Sequence, residues 1–459
     1  MILLIHPTYY EVIEYCTVAE TRKKLSKSFG NRAYPANIKI LEDIIAKRDQ
    51  LARELGFESY AHLNLDDEMV KTPDRAEKFI RDLITKSNVK EAEEFKVLKS
   101  DLPASVQLSP NGKLWPWDVP FTQAYYKEKH FKLDERKVAE YFPMQQTIEG
   151  LFGIYQDFFN ITMKEVPVSG AWSDDVKMVE VYRNSDNQKL GDLLLDLHPR
   201  PNKYSHACKI GIVPAIKTPQ GDINPAVVLV IANFPKSTGG KPALLKHSDV
   251  TTFFHEFGHA IHAILGATEL ASFSGTHVKT DFVEMPSQML EEWMYDKTML
   301  KQVTKHYQTG EPLPDDMIDT LIALKKFDSG YFVQRQGLFA LLSLEYYKSG
   351  AVKDTDAIRA ELFKQVVSNM EFDSETHMQA SFGHLTGYGA RYYGYLWSKV
   401  FALDLFEFIK PFGLRNHEIG QRYADTILAP GGSIDPNILL CNFLGREPNQ
   451  QAFLDSMGL

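Results

Sequence analysis

Thr251-Thr-Phe-Phe-His255-Glu256-Phe-Gly-His259-Ala-Ile-His262 sets two imidazoles four residues apart, with a glutamate directly after the first. At about 100° per residue, positions i and i+4 of a helix lie on one face, a turn apart. Two neutral imidazoles so placed can grip one Zn²⁺ from the same side. Glu256 is rotated off that face by one residue, within reach of a water at the metal but not of the metal itself. The spacing is the HExxH arrangement of zinc hydrolases. The alternative is a buried amphipathic helix whose histidines satisfy backbone carbonyls.

A third ligand separates the two readings, because catalytic zinc sites keep three protein ligands and leave one position for water. A metzincin pattern requires glycine at position 262 and histidine at position 265, where this chain has His262 and Leu265. Downstream runs Phe273-Ser-Gly-Thr-His277-Val-Lys-Thr-Asp281-Phe-Val-Glu284-Met-Pro-Ser-Gln288-Met-Leu-Glu-Glu-Trp293, with helical spacing from Val283 to Leu300. Glu284 therefore stands at the mouth of a second helix, and a hairpin of this length can return its carboxylate to the first. A carboxylate at a helix N-terminus is also favoured by the macrodipole alone, so this reading stays open beside His-His-Glu ligation.

Further blocks share one likeness. They are Trp115-Pro-Trp117-Asp118 with Tyr125-Tyr126, and Asp196-Leu-His-Pro-Arg-Pro-Asn-Lys-Tyr204-Ser-His206-Ala207. The third is Ser381-Phe-Gly-His384-Leu-Thr-Gly-Tyr388-Gly-Ala-Arg-Tyr392-Tyr393-Gly-Tyr395-Leu-Trp397. With the His255 and Glu284 segments, and from Tyr9-Tyr10…Thr21-Arg-Lys-Lys-Leu to the carboxyl end, the chain resembles the thimet oligopeptidase family of zinc peptidases, peptidase family M3. The single glycine in His384-Leu-Thr-Gly-Tyr388 is more similar to the mitochondrial intermediate peptidase branch. Family members carry a further amino-terminal helical wall, and the resemblance places Met1-Ile-Leu-Leu-Ile inside the middle of one. A shortened wall leads us to expect weaker exclusion of long peptides.

The resemblance implies a zinc-dependent oligopeptidase, of metalloendopeptidase type, cutting internal bonds of short unstructured peptides. It implies one Zn²⁺ per chain on His255, His259 and Glu284, with Glu256 as general base toward the zinc-bound water. Tyr395 is the expected donor to the developing oxyanion, supported by His384. Tyr388 and Tyr392 are expected on the substrate backbone, and His206 and Ala207 are expected to bind substrate. The neighbouring tyrosine Tyr393 reads as packing. Gly383, Gly387, Gly389 and Gly394 read as hinges of a closing segment. Two alternatives remain: a dipeptidyl carboxypeptidase, with Arg391 or Lys399 holding the substrate carboxylate, and a non-catalytic peptide binder with an incomplete cleft. His262 reads as a packed histidine or a donor to the metal site, and Asp281 or Gln288 as the acceptor for a ligand imidazole. His277 reads as a substrate contact or a loop cap.

The 459 residues carry a formal charge of −9 and no basic run, which argues against nucleic acid or an anionic membrane surface. The longest apolar stretch, Ala226-Val-Val-Leu-Val-Ile-Ala, is far short of the roughly 20 residues of a membrane span. Met1-Ile-Leu-Leu-Ile ends at His6-Pro7, so no secretory apolar region is read there, although a leader lost with a missing amino-terminal region would be invisible. Three scattered cysteines, Cys16, Cys208 and Cys441, read as reduced buried thiols of a reducing compartment. A cytoplasmic monomer is expected.

Periodicity gives a mainly α fold: a large helical catalytic unit with a small β-sheet beside the HExxH helix, of the zincin (gluzincin) type. Residues 1–459 read as one peptidase region with a helical part near 1–170, a small sheet near 171–240 and a helical zinc-binding part near 241–459. Helices are expected over 38–55, from Pro73 (capped by Thr72) toward Leu98, from Val250, and over 283–306, 314–348, 354–370 and 391–410. Strands are expected at 178–183, 193–197, 206–213 and 227–234, with a turn at Gln220-Gly-Asp. The edge at Tyr204–Ile212 is expected to receive an extended peptide.

Overall fold

Thr72 is extended, its Oγ1 accepts from the Arg75 N–H at 3.3 Å, and Pro73 takes the first helical position. The helix so opened runs Pro73–Ser100 in the computed structural model, which describes residues 6–459. The reading made on Met1–Ile5 lies outside the described residues. Two compact units form, each from separated stretches of chain. The first comprises Met1–Lys132 (as far as described), Leu324–Trp397 and Asp455–Leu459, and the second Leu133–Ala323 and Ser398–Leu454. The successive helical, sheet and helical stretches read from the sequence are runs of secondary structure, and the units cut across them.

In the first unit, the Pro73–Ser100 helix buries Ala76, Ile80, Leu83, Glu91, Glu94 and Leu98 along one face at helical spacing. The Ser329–Tyr347 helix packs on that face. Gly337 permits the approach, since a Cβ there would lie 2.8 Å from Ile84 Cγ1. Glu94 caps the incoming helix: its two oxygens accept from the Gly330 and Tyr331 N–H groups at 3.0 and 2.8 Å. Two of the donors a helix start leaves open are thereby satisfied. Elsewhere, Arg22 Nε and Nη2 donate to Asp118 Oδ1 at 2.9 and 2.6 Å, with both side chains buried. The Arg22 guanidinium lies 4.0 Å over the Phe121 ring.

The second unit holds a five-stranded sheet: β1 (Ile161–Val166), β2 (Lys177–Arg183), β3 (Lys189–Asp196), β4 (Cys208–Val213) and β5 (Ala226–Ile231), in the order β1-β2-β3-β5-β4. β3 and β5 run parallel and the other pairs antiparallel. Val228 and Val230 of β5 and Leu193 of the adjoining β3 are fully buried, which explains the unbroken apolar run of β5. β4 is an edge strand, with Ile210, Ile212 and Val213 more than 40 % exposed. The Gln220-Gly-Asp turn joins a short separate ribbon, Ile216–Lys217 with Ile223–Asn224. The other edge strand, β1, was not among the expected ones: its Lys164 and Glu165 interrupt any apolar alternation.

The His247–Leu265 helix lies on this sheet, burying Phe253, Phe254, Phe257, Ala260, Ile261 and Ile264. Two long helices of the sequence reading are broken. The stretch 283–306 divides into Met285–Glu291, a 3₁₀ turn at Glu292–Tyr295 and Lys297–Val303. Asp296 causes the restart by accepting from the Thr298 and Met299 N–H groups. The stretch 314–348 divides into Asp315–Leu324 and Ser329–Tyr347, with Asp328 left-handed at φ 63° between them. Among the described residues, no helix is long and apolar enough to cross a membrane.

Candidate metal centre and tyrosine cluster

His255 and His259 project from one face of the His247–Leu265 helix, their Nε2 atoms 3.1 Å apart. Glu284, the residue before the Met285–Glu291 helix, brings Oε2 to 3.1 Å from both. Gly258 makes this convergence possible. A Cβ at that position would lie 2.8 Å from Ser287 Cα, so only glycine lets the two helix backbones approach so closely. The returning loop uses the same device at Gly275, where φ is +58° and a Cβ would fall 2.7 Å from Ala263 Cα.

The donor set fits a metal. His255 Nδ1 lies 2.7 Å from Glu291 Oε1, so it carries a proton and donates to that carboxylate. The lone pair of Nε2 then faces a second carboxylate, Glu284, an arrangement stable only with a cation or a proton between them. Burial disfavours the imidazolium, yet Glu284 and Glu291 hold the His255 pKa well above its ordinary value. For Glu284, burial pushes the carboxyl up, but His259 and His255 hold it well below the usual range. Tetrahedral zinc with ligands at about 2.0–2.1 Å spaces its donor atoms about 3.3 Å apart. The observed 3.1 Å spacing is close to that.

Glu256 stays outside this triangle. Burial raises its pKa, while His255 and His259 pull it down, and the backbone N–H of Lys209 in β4 donates to it. The carboxylate thus borders the exposed edge strand. His206 and Ala207 occupy the bend just before β4, with the exposed His206 ring 5.4 Å from Tyr204. Asp196 holds that bend in place. It takes Arg200 through two 2.7 Å hydrogen bonds, Lys203 at 2.9 Å and the Trp172 indole N–H at 2.8 Å. Burial would raise the Asp196 pKa, but these donors hold it far below the usual carboxylate range.

Two sequence assignments around the metal site change. The acceptor for His255 Nδ1 is Glu291, neither Asp281 nor Gln288, and His259 Nδ1 has no hydrogen-bond partner. Glu291 follows Glu284 by seven residues, two helical turns, and that spacing was the available signal. Lys399 does not await a substrate carboxylate, because it bridges Glu291 at 3.1 Å and Glu292 at 3.0 Å. The Lys399 ammonium and His255 hold the Glu291 pKa at about 2 against its burial. His262 is fully buried with neither ring nitrogen hydrogen-bonded, and burial lowers its pKa to about 3, so it is a neutral packed side chain. His277 Nδ1 faces the Ala271 carbonyl at 3.1 Å, closing its loop.

The first unit holds the tyrosine cluster. His384 Nε2 lies 3.1 Å from the Tyr395 hydroxyl, Tyr388 stacks on Tyr395 at 5.3 Å, and the Tyr392 ring is 5.1 Å from that of Tyr395. Tyr393 is fully buried and packs edge-on against Trp397. The segment is tethered despite its glycines. Arg48 donates to the Leu385 and Thr386 carbonyls, Tyr347 donates to Leu385 O, and Asn64 Oδ1 accepts from the Ala390 N–H. Arg391, the other proposed carboxylate anchor, is paired with Glu68 at 2.9 Å.

The family model "Peptidase family M3" matches residues 12–459. The chain belongs to peptidase family M3. It is 34 % identical to a thimet-like oligopeptidase of Dictyostelium discoideum, over all of this chain and 70 % of that one. Saccharolysin of Saccharomyces cerevisiae is 36 % identical over 99 % of this chain and 66 % of its own length. A human mitochondrial intermediate peptidase is 29 % identical over 92 % of this chain and 60 % of its own. The chain thus spans about two thirds of the length of these relatives. Among solved structures, PZ peptidase A with an inhibitor has a TM-score of 0.58 at 12 % identity, over 98 % of this chain and 69 % of that one. An M32 carboxypeptidase of Deinococcus radiodurans has 0.52 at 12 %, over 99 % and 82 %. At such identities these two structures share the fold alone.

Proposed function

We propose that this family M3 chain is a zinc-dependent oligopeptidase that hydrolyses internal bonds of short, unstructured peptides. The carrying observation is the convergence of His255, His259 and Glu284 at 3.1 Å, beside a carboxylate, Glu256, that does not join them. His255, His259 and Glu284 would hold Zn²⁺, which would supply an acidified water and a Lewis acid for the scissile carbonyl. Glu256 accepts a proton from the attacking water at its carboxylate and returns it to the departing amine. Its raised proton affinity suits both halves of that transfer. Tyr395 donates its phenolic hydrogen to the carbonyl oxygen as negative charge develops there, and His384 fixes the direction of that hydroxyl. Tyr388 and Tyr392 bear on the substrate backbone. An extended peptide adds to the open edge of β4, past His206 and Ala207, through main-chain hydrogen bonds indifferent to sequence.

Purified protein with zinc restored is expected to cleave a quenched nine-residue peptide, and Glu256→Gln is expected not to. Products read by mass spectrometry give the cut position: internal cleavage supports an endopeptidase, and stepwise release of carboxyl-terminal dipeptides would replace that reading. Folded, zinc-loaded protein without turnover would make the chain a peptide binder.

A further inference from the structure

Within the first unit, the Ser329–Tyr347 helix turns Tyr331, Arg335, Leu338 and Phe339 onto a cavity of about 150 Å³, which Phe363 and Phe372 also line. An apolar void of about that size accepts a benzene-sized group. Arg335 lies exposed at its rim, with its guanidinium 5.3 Å from the Phe339 ring centroid. Around it lie the neutral phenols of Tyr331, Tyr10 and Tyr392, with a side-chain hydrogen bond to Tyr10. Arg391 and Lys399, by contrast, are already held by glutamates.

The pocket wall carries two buried polar atoms without hydrogen-bond partners, Arg359 Nε and Asp373 Oδ2. Arg359 otherwise donates to the Thr376 carbonyl, pairs with Asp356 at 3.8 Å and lies over the Phe372 ring. Arg359 is thus balanced by Asp356 and faces Asp373, whereas no carboxylate of the described residues pairs with Arg335. The cavity also adjoins the tyrosine cluster. Phe339 meets the Tyr392 ring edge-on at 5.8 Å, and the Tyr392 hydroxyl donates to Gln336 Oε1 at 3.0 Å.

We propose that this cavity is a subsite for the carboxyl-terminal residue of a peptide. An apolar side chain fills it, and the free α-carboxylate takes a forked pair of hydrogen bonds from Arg335. This subsite presupposes the peptide substrate proposed above, yet it is a binding site and is testable without turnover.

Acetylated octapeptides ending in phenylalanine, as free acid and as amide, are titrated calorimetrically into zinc-loaded Glu256→Gln protein and into the same protein carrying Arg335→Ala. The free acid is expected to bind ~10- to 100-fold tighter than the amide, the range of a charge-assisted contact. Arg335→Ala removes that difference at an unchanged melting temperature, and Arg335→Lys restores part of it. Equal or absent binding of the two peptides, or a difference that survives Arg335→Ala, overturns the subsite. An amidated peptide with glutamate before the last residue separates the two sources of carboxylate. Binding as tight as that of the free acid overturns the terminal assignment. Acid-selective binding with no turnover in the parent retains the subsite and sinks the peptidase reading. Turnover with no acid preference does the reverse.

Discussion

Glu291 accepts from His255 Nδ1 at 2.7 Å through one oxygen while its other oxygen holds Lys399 at 3.1 Å. The imidazole is thereby fixed in the tautomer that presents Nε2 to the metal position. Partners of this kind are typically worth about 10–100-fold in metal affinity. Glu291→Gln keeps the size and loses the charge that both neighbours need. Competition with a chromophoric chelator is expected to show zinc affinity falling by about that factor. An unchanged affinity would remove Glu291 from the metal site's support.

Gly258 sits under Ser287 Cα with no room for a Cβ. Gly258→Ala must push the Met285–Glu291 helix outward and carry Glu284 with it. Overpacking of this kind costs about 1–3 kcal/mol. We expect a lowered melting temperature together with weakened zinc binding. Lost stability with intact zinc affinity would mean that the helix yields elsewhere than at Glu284.

The Arg22–Asp118 pair is buried on both sides. Removing one partner of such a pair costs about 3–5 kcal/mol, because the other charge is left stranded. Asp118→Ala is expected to lower the denaturant midpoint by a corresponding amount. The double change Arg22→Met with Asp118→Leu is expected to recover most of that loss, and a double mutant no better than the single one would contradict the assignment.

Glu91 is buried beside Glu94, and desolvation pushes its pKa from 4.5 to about 7 despite a hydrogen bond from Asn369 and the more distant Lys99 and Lys113. A raised folded-state pKa favours the protonated form. That contribution is complete below the unfolded value near 4.5 and is lost as pH rises through about 7. Glu91→Gln mimics the neutral acid at every pH. Its melting temperature relative to the parent is therefore expected to climb between pH 5 and pH 8. A pH-independent difference would show that Glu91 titrates normally.

Tyr395→Phe deletes the hydroxyl that meets His384 while leaving the ring that stacks on Tyr388. Loss of an oxyanion donor typically lowers kcat about 10²–10³-fold. We expect that loss in steady-state kinetics, with KM and zinc affinity little changed. Tyr393→Phe, at a side chain that packs on Trp397, is expected to leave kcat alone.

The helical spacing of His255 and His259, the cap at Thr72-Pro73 and the unbroken apolar run of β5 could all be read from the residues, because each rests on local periodicity or local chemistry. The geometry of Glu284 needed a second helix to return within contact of the first, and the glycine that permits this, Gly258, lies between the two histidines without announcing its role. Glu291 was hidden for the same reason: a carboxylate two turns past a ligand matters only once the crossing of the helices is known. The Arg335 cavity is less legible still, since its walls come from chain segments that periodicity alone cannot bring together. Breaks at Asp296 and Asp328 escaped because an aspartate inside an amphipathic pattern reads equally well as a solvent-facing residue.

Both units are assembled from stretches that interleave along the chain. A ribosome that has made the first 323 residues has completed neither, since Leu324–Trp397 belongs to one and Ser398–Leu454 to the other. The Arg48 and Asn64 side chains that tether the tyrosine segment must wait more than 300 positions for their partners. Vectorial, unit-by-unit folding is thus closed to this protein. Separating the chain between Ala323 and Leu324 leaves each fragment without a stretch that its unit needs, so the two must reassemble by complementation before either unit is whole.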